Sequence, residues 1–210
     1  MKVGILSESE ADEAAIRVLV EGALGRPVEL VSKPSLRARG WPSVRQLVPK
    51  VIAHLQYRTD ADGLVVVADA NNSAPHLPGH DLAGGADPKC RLCLLKGEVA
   101  QTLTDLRPVA GRSLLKIAIG VACPAIEAWY LCGREVGVTE RAWEEAMQGK
   151  GTPFNRNWLK LKVYGTDRPG IVKCTRRGVE EARRLADVLD ELERAFPKGF
   201  GSLRDDLRGW

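Results

Sequence analysis

An acidic and an amide side chain, Asp69 and Asn71, stand where an apolar stretch of the chain ends. The stretch before them, from Gly63 to Ala68, is rich in Val, which is typical of a strand buried on both faces of a parallel sheet. Open α/β sheets bind their ligands at the carboxyl ends of the strands. An acid there must be solvated, paired or bound to a cation, because burying it alone is prohibitive. The alternative is that Asp69 only begins a turn.

Three more acids are predicted to reach the same edge of the sheet. Glu8 follows the first predicted strand, and Asp12 lies in the first turn of the helix after it, three residues past Ser9, the predicted N-cap of that helix. Because parallel strands end at a common edge, we expect Glu8 and Asp69 to lie close together. Glu127 opens a helix after the fourth predicted strand, and compensation of the helix dipole is the alternative role for it.

These side chains offer oxygen ligands and no soft donors. Oxygen ligands suit Mg²⁺ or Mn²⁺, which bind one or two carboxylates and otherwise keep water or phosphate oxygens. Such a cation stabilises charge on a phosphoryl group and activates water for attack. The candidate metal ligands are Glu8, Asp12, Asp69, Asn71 and Glu127.

A second candidate site falls within one loop that is rich in Gly, Pro, Asn and His. His76 and His80 form a His-x3-His pair, and Cys90 and Cys93 form a Cys-x2-Cys pair. Four soft ligands at these spacings could hold zinc, although the two pairs come in the reverse of the usual zinc-finger order. The alternative is a mobile loop with unpaired thiols.

Strands and helices alternate along the first two thirds of the chain. This order predicts an α/β, Rossmann-like and mostly parallel sheet of about four strands flanked by helices. We predict an α/β core over residues 1–135 and a helical extension over 136–210 that packs on it. The main predicted elements are strands at 2–6, 28–31, 63–69 and 114–121, helices at 92–106 and 139–147, and one long helix over 171–196; patterning is loose between 149 and 170.

Length and composition exclude several classes of protein. The chain has 210 residues, of which 44% are hydrophobic and 28% charged, enough for a substantial core. No apolar run approaches the ~18 residues of a membrane span. Five scattered cysteines predict reduced thiols and a cytoplasmic protein. No phosphate-binding glycine loop or nucleophile elbow is present.

Positive charge is concentrated in two segments. Residues 26–58 and 154–177 each contain seven Lys or Arg and a single acid. Two basic segments around an acidic centre favour a polyanion held by its backbone, and aromatics interleave with the second segment. Solvated helix faces are the alternative. The candidate nucleic-acid-binding residues are Arg37, Arg39, Lys160, Lys162, Arg176 and Arg177.

Three short motifs resemble those of Toprim domains when taken in order. The segment from Glu8 to Asp12 resembles their Glu-Gly-x-x-Asp/Glu opening, and the strand that runs through Asp69 to Asn71 is similar to their strand ending in Asp-x-Asp. The segment from Ala122 to Trp129 looks like the Pro-x-x-Glu-x-Trp block of small stand-alone Toprim-like proteins, and the chain from Phe196 to Leu207 looks like their close. These are mostly uncharacterised bacterial proteins, some of which are tied to phage defence.

The resemblance implies a magnesium-dependent nuclease acting on DNA or RNA. Glu8 and Asp69 would be the catalytic residues, with Glu8 as the acid/base or metal-organising group and Asp69 as the main metal ligand. Ser9 replaces the usual Gly, and Asn71 replaces the second Asp, which removes a negative charge from the metal site. The alternatives are a non-catalytic subunit that binds nucleic acid or a defence-system ATPase, and a zinc-stabilised binding protein. The oligomeric state is left open.

Overall fold

The computed structural model describes residues 1–32, 40–151 and 154–210. Within these ranges the fold is α/β, with four parallel strands in the order β2-β1-β3-β4. Strand β3 pairs with β1 (Val3 opposite Gly63) and with β4 along its whole length, so that Asp69 lies opposite Ala122. The predicted parallel α/β sheet is therefore confirmed.

The sheet is short and the helices are numerous. The strands are β1 (Lys2–Leu6), β2 (Glu29–Leu30), β3 (Gly63–Asp69) and β4 (Lys116–Ala122). The helices are α1 (Glu10–Leu24), α2 (Trp41–Arg58), α3 (Arg91–Asp105), α4 (Ile126–Tyr130), α5 (Glu140–Met147), α6 (Arg156–Tyr164), α7 (Ile171–Ala186), α8 (Leu189–Ala195) and α9 (Phe200–Arg208). A 3-10 turn covers Pro78–Asp81.

Two apolar cores lie on the two faces of the sheet. One core packs the side chains on one face of β1 and β3 against α1 and α7. In this core the rings of Trp129 and Phe200 are in edge-to-face contact, with centroids 5.4 Å apart. The other joins the opposite face to α2 and α3. Strand β3 is buried at every position, because helices cover both of its faces. This double cover leaves the carboxyl ends of the strands as the edge where polar side chains gather.

Three local predictions differ from the structure. The second strand is shorter than predicted, and the loosely patterned stretch contains α6. The long C-terminal helix is divided in two, because the chain leaves the helical conformation at Val188 (φ −133°, ψ 38°). Apolar residues on both sides of the break keep helical spacing, so the pattern alone does not indicate it.

The helices after residue 136 share their core with those before it. Helix α7 packs along α1, and α9 packs against β4. The division between residues 135 and 136 stays a prediction. Within the described ranges no helix is both long enough and apolar enough to cross a membrane.

Candidate functional site

Glu8 and Asp69 meet at the carboxyl edge of the sheet. The Oε1 atom of Glu8 accepts a hydrogen bond from the backbone N–H of Asp69 at 3.2 Å. Both side chains are largely buried, with 9% of the Glu8 side chain and 6% of the Asp69 side chain exposed. They are adjacent because β1 and β3 are paired parallel neighbours that end at the same edge. The two acids predicted to converge therefore do so.

Asp12 joins this edge through the cap of α1. The hydroxyl of Ser9 accepts a hydrogen bond from the backbone N–H of Asp12 at 3.2 Å and donates one to its Oδ2 at 2.7 Å. This double contact is the N-cap that the sequence predicts. It fixes the carboxylate of Asp12 in the first turn of α1, directed toward the other acids.

Glu127 lies in the first turn of α4, the helix that follows β4. A cis peptide at Cys123-Pro124 connects β4 to this helix, and the backbone N–H of Ile126 donates to Oδ1 of Asp69 at 2.9 Å. Glu127 is only 4% exposed. Its Oε2 atom has no hydrogen-bond partner among the described residues. A buried carboxylate oxygen without a partner is costly.

The pKa values of three acids are raised in this cluster. Burial raises the pKa of Asp69 well above its ordinary value, and the neighbouring charge of Glu127 adds to the effect. Burial raises the pKa of Asp12 to about 6, again with contributions from Glu127 and Glu8. Burial also raises the pKa of Glu127, against opposing effects of its helix backbone, Arg156 and Lys160. Glu8, Asp12, Asp69 and Glu127, which we call the acid cluster, thus repel one another in a poorly solvated place.

Arg156 supplies positive charge to the acid cluster. Asn155 caps α6 by accepting from the backbone N–H of Trp158 at 2.8 Å, which sets Arg156 at the first position of the helix. The guanidinium lies 2.8 Å from Oδ2 of Asp69 and donates to Oδ1 of Asn71 at 3.3 Å. The predicted ligand Asn71 therefore faces Arg156. Its φ of 50° is in the left-handed region, which Asn tolerates better than most residues.

Arg91 is a second cation at this edge, and sequence reasoning missed both arginines. Its Nη1 atom donates to the backbone oxygen of Asp69 at 2.5 Å and lies 3.6 Å from Oε1 of Glu8. The guanidinium also stacks over the ring of Trp41, 4.7 Å from the centroid. The signal that was available is the position of Arg91 between two candidate zinc ligands.

The four predicted zinc ligands come together in one cluster able to hold a metal ion. His76, His80, Cys90 and Cys93, which we call the His/Cys cluster, bring their ligand atoms within 4.8 Å of one another. The Nδ1 atom of His76 lies 3.5 Å from Sγ of Cys90 and 3.5 Å from Sγ of Cys93. The Nδ1 atom of His80 lies 3.5 Å from Sγ of Cys93.

Carboxylates support both imidazoles from behind. The Nε2 atom of His76 lies 3.0 Å from Asp81, and that of His80 lies 4.0 Å from Asp87. Metal-binding histidines characteristically direct their second ring nitrogen at such a group. Burial lowers the pKa of His76, which favours the neutral imidazole that binds metals. Burial raises the pKa of Cys90 to about 11, so metal binding at neutral pH requires release of the thiol proton.

The predicted nucleic-acid-binding residues divide into three groups. Arg37 and Arg39 lie outside the described residues. Lys160 lies near enough to Glu127 for its positive charge to lower the pKa of that acid. The other three are in ion pairs at exposed positions: Lys162 with Glu135 at 2.7 Å, Arg177 with Glu180 at 2.8 Å and Arg176 with Glu180 at 3.9 Å.

The fold and these clusters define an α/β protein with a buried acid cluster and a separate His/Cys cluster at one edge of its sheet. Comparisons of the chain with protein-family models, with curated proteins and with solved structures found no significant match.

Proposed function

We propose that the acid cluster binds Mg²⁺ or Mn²⁺ and that the protein hydrolyses phosphodiester bonds in nucleic acid. The observation that carries the proposal is the buried carboxylate of Glu127, whose Oε2 has no partner among the described residues although its charge acts on two further acids, Asp12 and Asp69. Burying four acids together is unfavourable unless a cation balances them. Their oxygen donors fit a hard divalent cation.

The residues of this chain would divide the work by position. Such a cation, when bound, neutralises negative charge on a phosphoryl group and lowers the pKa of water. Glu8 and Asp69 would hold the cation from neighbouring strand ends, with Asp12 and Glu127 completing the set. Arg156 is 43% exposed at its side chain, so its guanidinium can turn from Asp69 toward a phosphate of the substrate.

A non-catalytic binding protein is the second candidate, and one observation favours it. The Arg156 guanidinium already pairs with Asp69 at 2.8 Å, and Asn71 provides no charge where a second acid would attract a cation. A site balanced by its own arginine would bind nucleic acid or a partner ATPase without cleaving anything.

Cleavage assays with matched variants separate the two candidates. Plasmid, single-stranded DNA and tRNA are incubated with the protein and Mg²⁺ or Mn²⁺. For the nuclease we expect metal-dependent cleavage that falls by at least about a hundredfold in Glu8→Gln and Asp69→Asn. Glu98→Gln, which removes an acid that pairs with Arg45 away from the cluster, should cleave like the wild type. Binding without cleavage in the wild type supports the non-catalytic candidate. The absence of both binding and cleavage contradicts the nuclease and a non-catalytic role on nucleic acid, and leaves a partner protein as the ligand to test by co-purification.

For the His/Cys cluster we propose a structural zinc ion. Tetrahedral zinc, with bonds of about 2.3 Å to sulfur and about 2.0 Å to nitrogen, holds S and N ligand atoms about 3.5 Å apart. The three S–N separations of 3.5 Å match this value. We expect one zinc per chain by elemental analysis, and the absorption of a tetrahedral thiolate complex after replacement by Co²⁺. Loss of zinc in Cys90→Ser/Cys93→Ser but not in Cys174→Ser is expected; full zinc content in the double variant contradicts the proposal.

A further inference from the structure

Arg91 physically joins the two clusters. It is the first residue of α3, between Cys90 and Cys93 of the His/Cys cluster. Its guanidinium extends in the other direction, to Glu8 and to the backbone oxygen of Asp69. The side chain is 14% exposed. Whatever fixes the start of α3 therefore also fixes a positive charge on the acid cluster.

The start of α3 carries both thiols of the His/Cys cluster. Among the described residues, no side chain caps this helix and no acid lies in its first turn, although both are the usual means of stabilising a helix start. The loop that carries His76 and His80 leaves Leu77 and Leu82 exposed instead of anchoring them in a core. A metal ion bound by Cys90 and Cys93 at the start of α3 and by two histidines of the loop would hold the loop against the helix.

We propose that a metal ion in the His/Cys cluster holds Arg91 against Glu8 and Asp69 and so controls the charge at the acid cluster. Arg91 provides no metal ligand to either cluster. The His/Cys cluster holds its backbone in place, and its guanidinium acts on the acid cluster. Its charge opposes a cation at the acids, since it already lies 3.6 Å from a carboxylate oxygen of Glu8. The positioning of Arg91 rests on the zinc ion proposed for the His/Cys cluster, and this consequence for cation binding rests in addition on the cation proposed for the acid cluster.

Binding at the two clusters is then linked. A cation added at the acid cluster competes with Arg91, and loss of the metal from the His/Cys cluster releases Arg91. Thermodynamic linkage requires that each metal weaken the other by the same factor.

The positioning is tested by the reactivity of Arg91 toward phenylglyoxal, which modifies arginine side chains. The full-length protein is compared with zinc bound and after zinc is removed by chelation, and modification is followed residue by residue by mass spectrometry. We expect Arg91 to react at least about tenfold faster without zinc. Arg112 is the control, because its guanidinium donates to backbone oxygens of Leu55 and Ala61 at 3.0 and 2.8 Å, and its rate should not change.

A second route removes one ligand without changing α3. In His80→Gln, Arg91 should react faster, as after chelation, while Arg112 stays slow and the circular dichroism of the fold is kept. Equal rates at Arg91 with and without zinc, in a protein whose Arg112 stays protected, would overturn the proposal. The Co²⁺ spectrum of Arg91→Lys should match that of the wild type, which shows that the centre forms independently of the residue it positions; a lost spectrum would contradict this direction of control.

Binding of Mn²⁺ tests the consequence. Removing zinc should tighten Mn²⁺ binding by threefold to tenfold in the wild type and leave Arg91→Gln unchanged, with Asp69→Asn identifying the signal from the acid cluster. Equal tightening in Arg91→Gln contradicts a linkage through Arg91. If no form of the protein binds Mn²⁺, the proposed function fails, and the positioning of Arg91 is still decided by its reaction rate.

Discussion

The acid cluster and the His/Cys cluster differ in where their side chains come from and in the charged groups placed around them. The acids come from the turn after β1 and from α1, β3 and α4, and they are opposed by Arg91 and Arg156. The soft ligands come from one segment, 76–93, and they are supported from behind by Asp81 and Asp87. One cluster is a set of buried acids paired with arginines, and the other is a compact set of soft donors.

Because the donors differ, we expect the two clusters to prefer different cations. We also expect the fold to depend on those cations to different degrees. Soft sulfur and imidazole donors favour zinc, and carboxylates favour magnesium or manganese. On the zinc proposal above, a metal ion in the His/Cys cluster would join a loop to the start of α3 and so would contribute to folding. The acid cluster lies on a preformed sheet, so its cation would alter charge more than structure. The following predictions test this contrast.

The largest expected effect is on stability. Replacing Cys90 and Cys93 by Ser removes both thiolates from the His/Cys cluster, so the folded state loses the free energy of metal binding. We expect the Tm to fall by on the order of 10 °C, which corresponds to about 3 kcal/mol for a chain of this size. Thermal unfolding followed by circular dichroism checks this, with Cys174→Ser as the variant that should melt like the wild type. An unchanged Tm would mean that the two clusters do not differ in the way described.

The next effect is on cation affinity at the acid cluster. Arg156→Gln removes the guanidinium 2.8 Å from Asp69, so a competing positive charge is lost. We expect Mn²⁺ to bind about tenfold more tightly, equivalent to about 1.4 kcal/mol. Titration calorimetry at low salt measures this. Arg168→Gln, an exposed arginine on the same segment, is the control. Weaker binding in Arg156→Gln would show that Arg156 organises the acids instead of competing for them.

A smaller effect concerns pH. The pKa of Asp12 is raised from 3.8 to about 6 in the folded protein, so the folded state binds its proton more tightly than the unfolded state. Between about pH 4 and pH 6 the unfolded state loses this proton while the folded state keeps it, so stability falls over that interval and stays constant above about pH 6. We expect Asp12→Asn to be more stable than the wild type by between about 1 and 3 kcal/mol at pH 7, the upper value being the full shift of about two pKa units, and equally stable at pH 4.

Urea unfolding of the zinc-loaded protein, without added Mg²⁺ or Mn²⁺, measures this difference at both pH values. Asp105→Asn changes an exposed acid of α3 and should show no such pH dependence. Added Mn²⁺ should cancel the advantage of Asp12→Asn, because the cation then balances the aspartate. An advantage of equal size at pH 4 and pH 7 would attribute it to packing and not to charge.

The smallest effect is expected at the exposed cations of α7. Arg176 and Arg177 share Glu180 as an ion-pair partner, so each would offer a phosphate little net charge. Replacing either by Ala should weaken nucleic-acid binding less than threefold, and Lys160→Ala, near the acid cluster, should weaken it more. Fluorescence anisotropy over a range of salt concentrations separates these cases, since each lost phosphate contact lowers the salt slope by about one unit. A larger loss of binding in the Arg176 or Arg177 variant than in Lys160→Ala would indicate that nucleic acid binds at α7 instead.

The carboxyl edge could be predicted from sequence because its determinants are local. The apolar run of β3 and the acids after β1 and β3 are read directly from the chain, and parallel pairing then brings Glu8 and Asp69 together. The cap at Ser9 depends on a spacing of three residues and was also predictable. The zinc spacing was visible, whereas the closeness of all four ligands was not, because it depends on how the loop folds back onto α3.

Arg156 was missed because α6 has only nine residues and its apolar positions alternate with basic ones. The break between α7 and α8 was missed because helical spacing continues across it. Both features are decided by packing against distant elements. Lys162, Arg176 and Arg177 were predicted from their charge, but their acidic partners are a matter of tertiary structure.

The sequence by itself determined the parallel sheet, the edge at which its acids collect and the ligand types available at each cluster, since these follow from periodicity and side-chain chemistry. Only the tertiary structure decided that Arg91 and Arg156 reach the acids and that the ligand atoms of the His/Cys cluster lie within 4.8 Å of one another. The physical reason is range: the apolar periodicity of a strand and the cap of a helix are set by neighbours in sequence, whereas the balance of buried charge is set by side chains that meet only after the helices have packed.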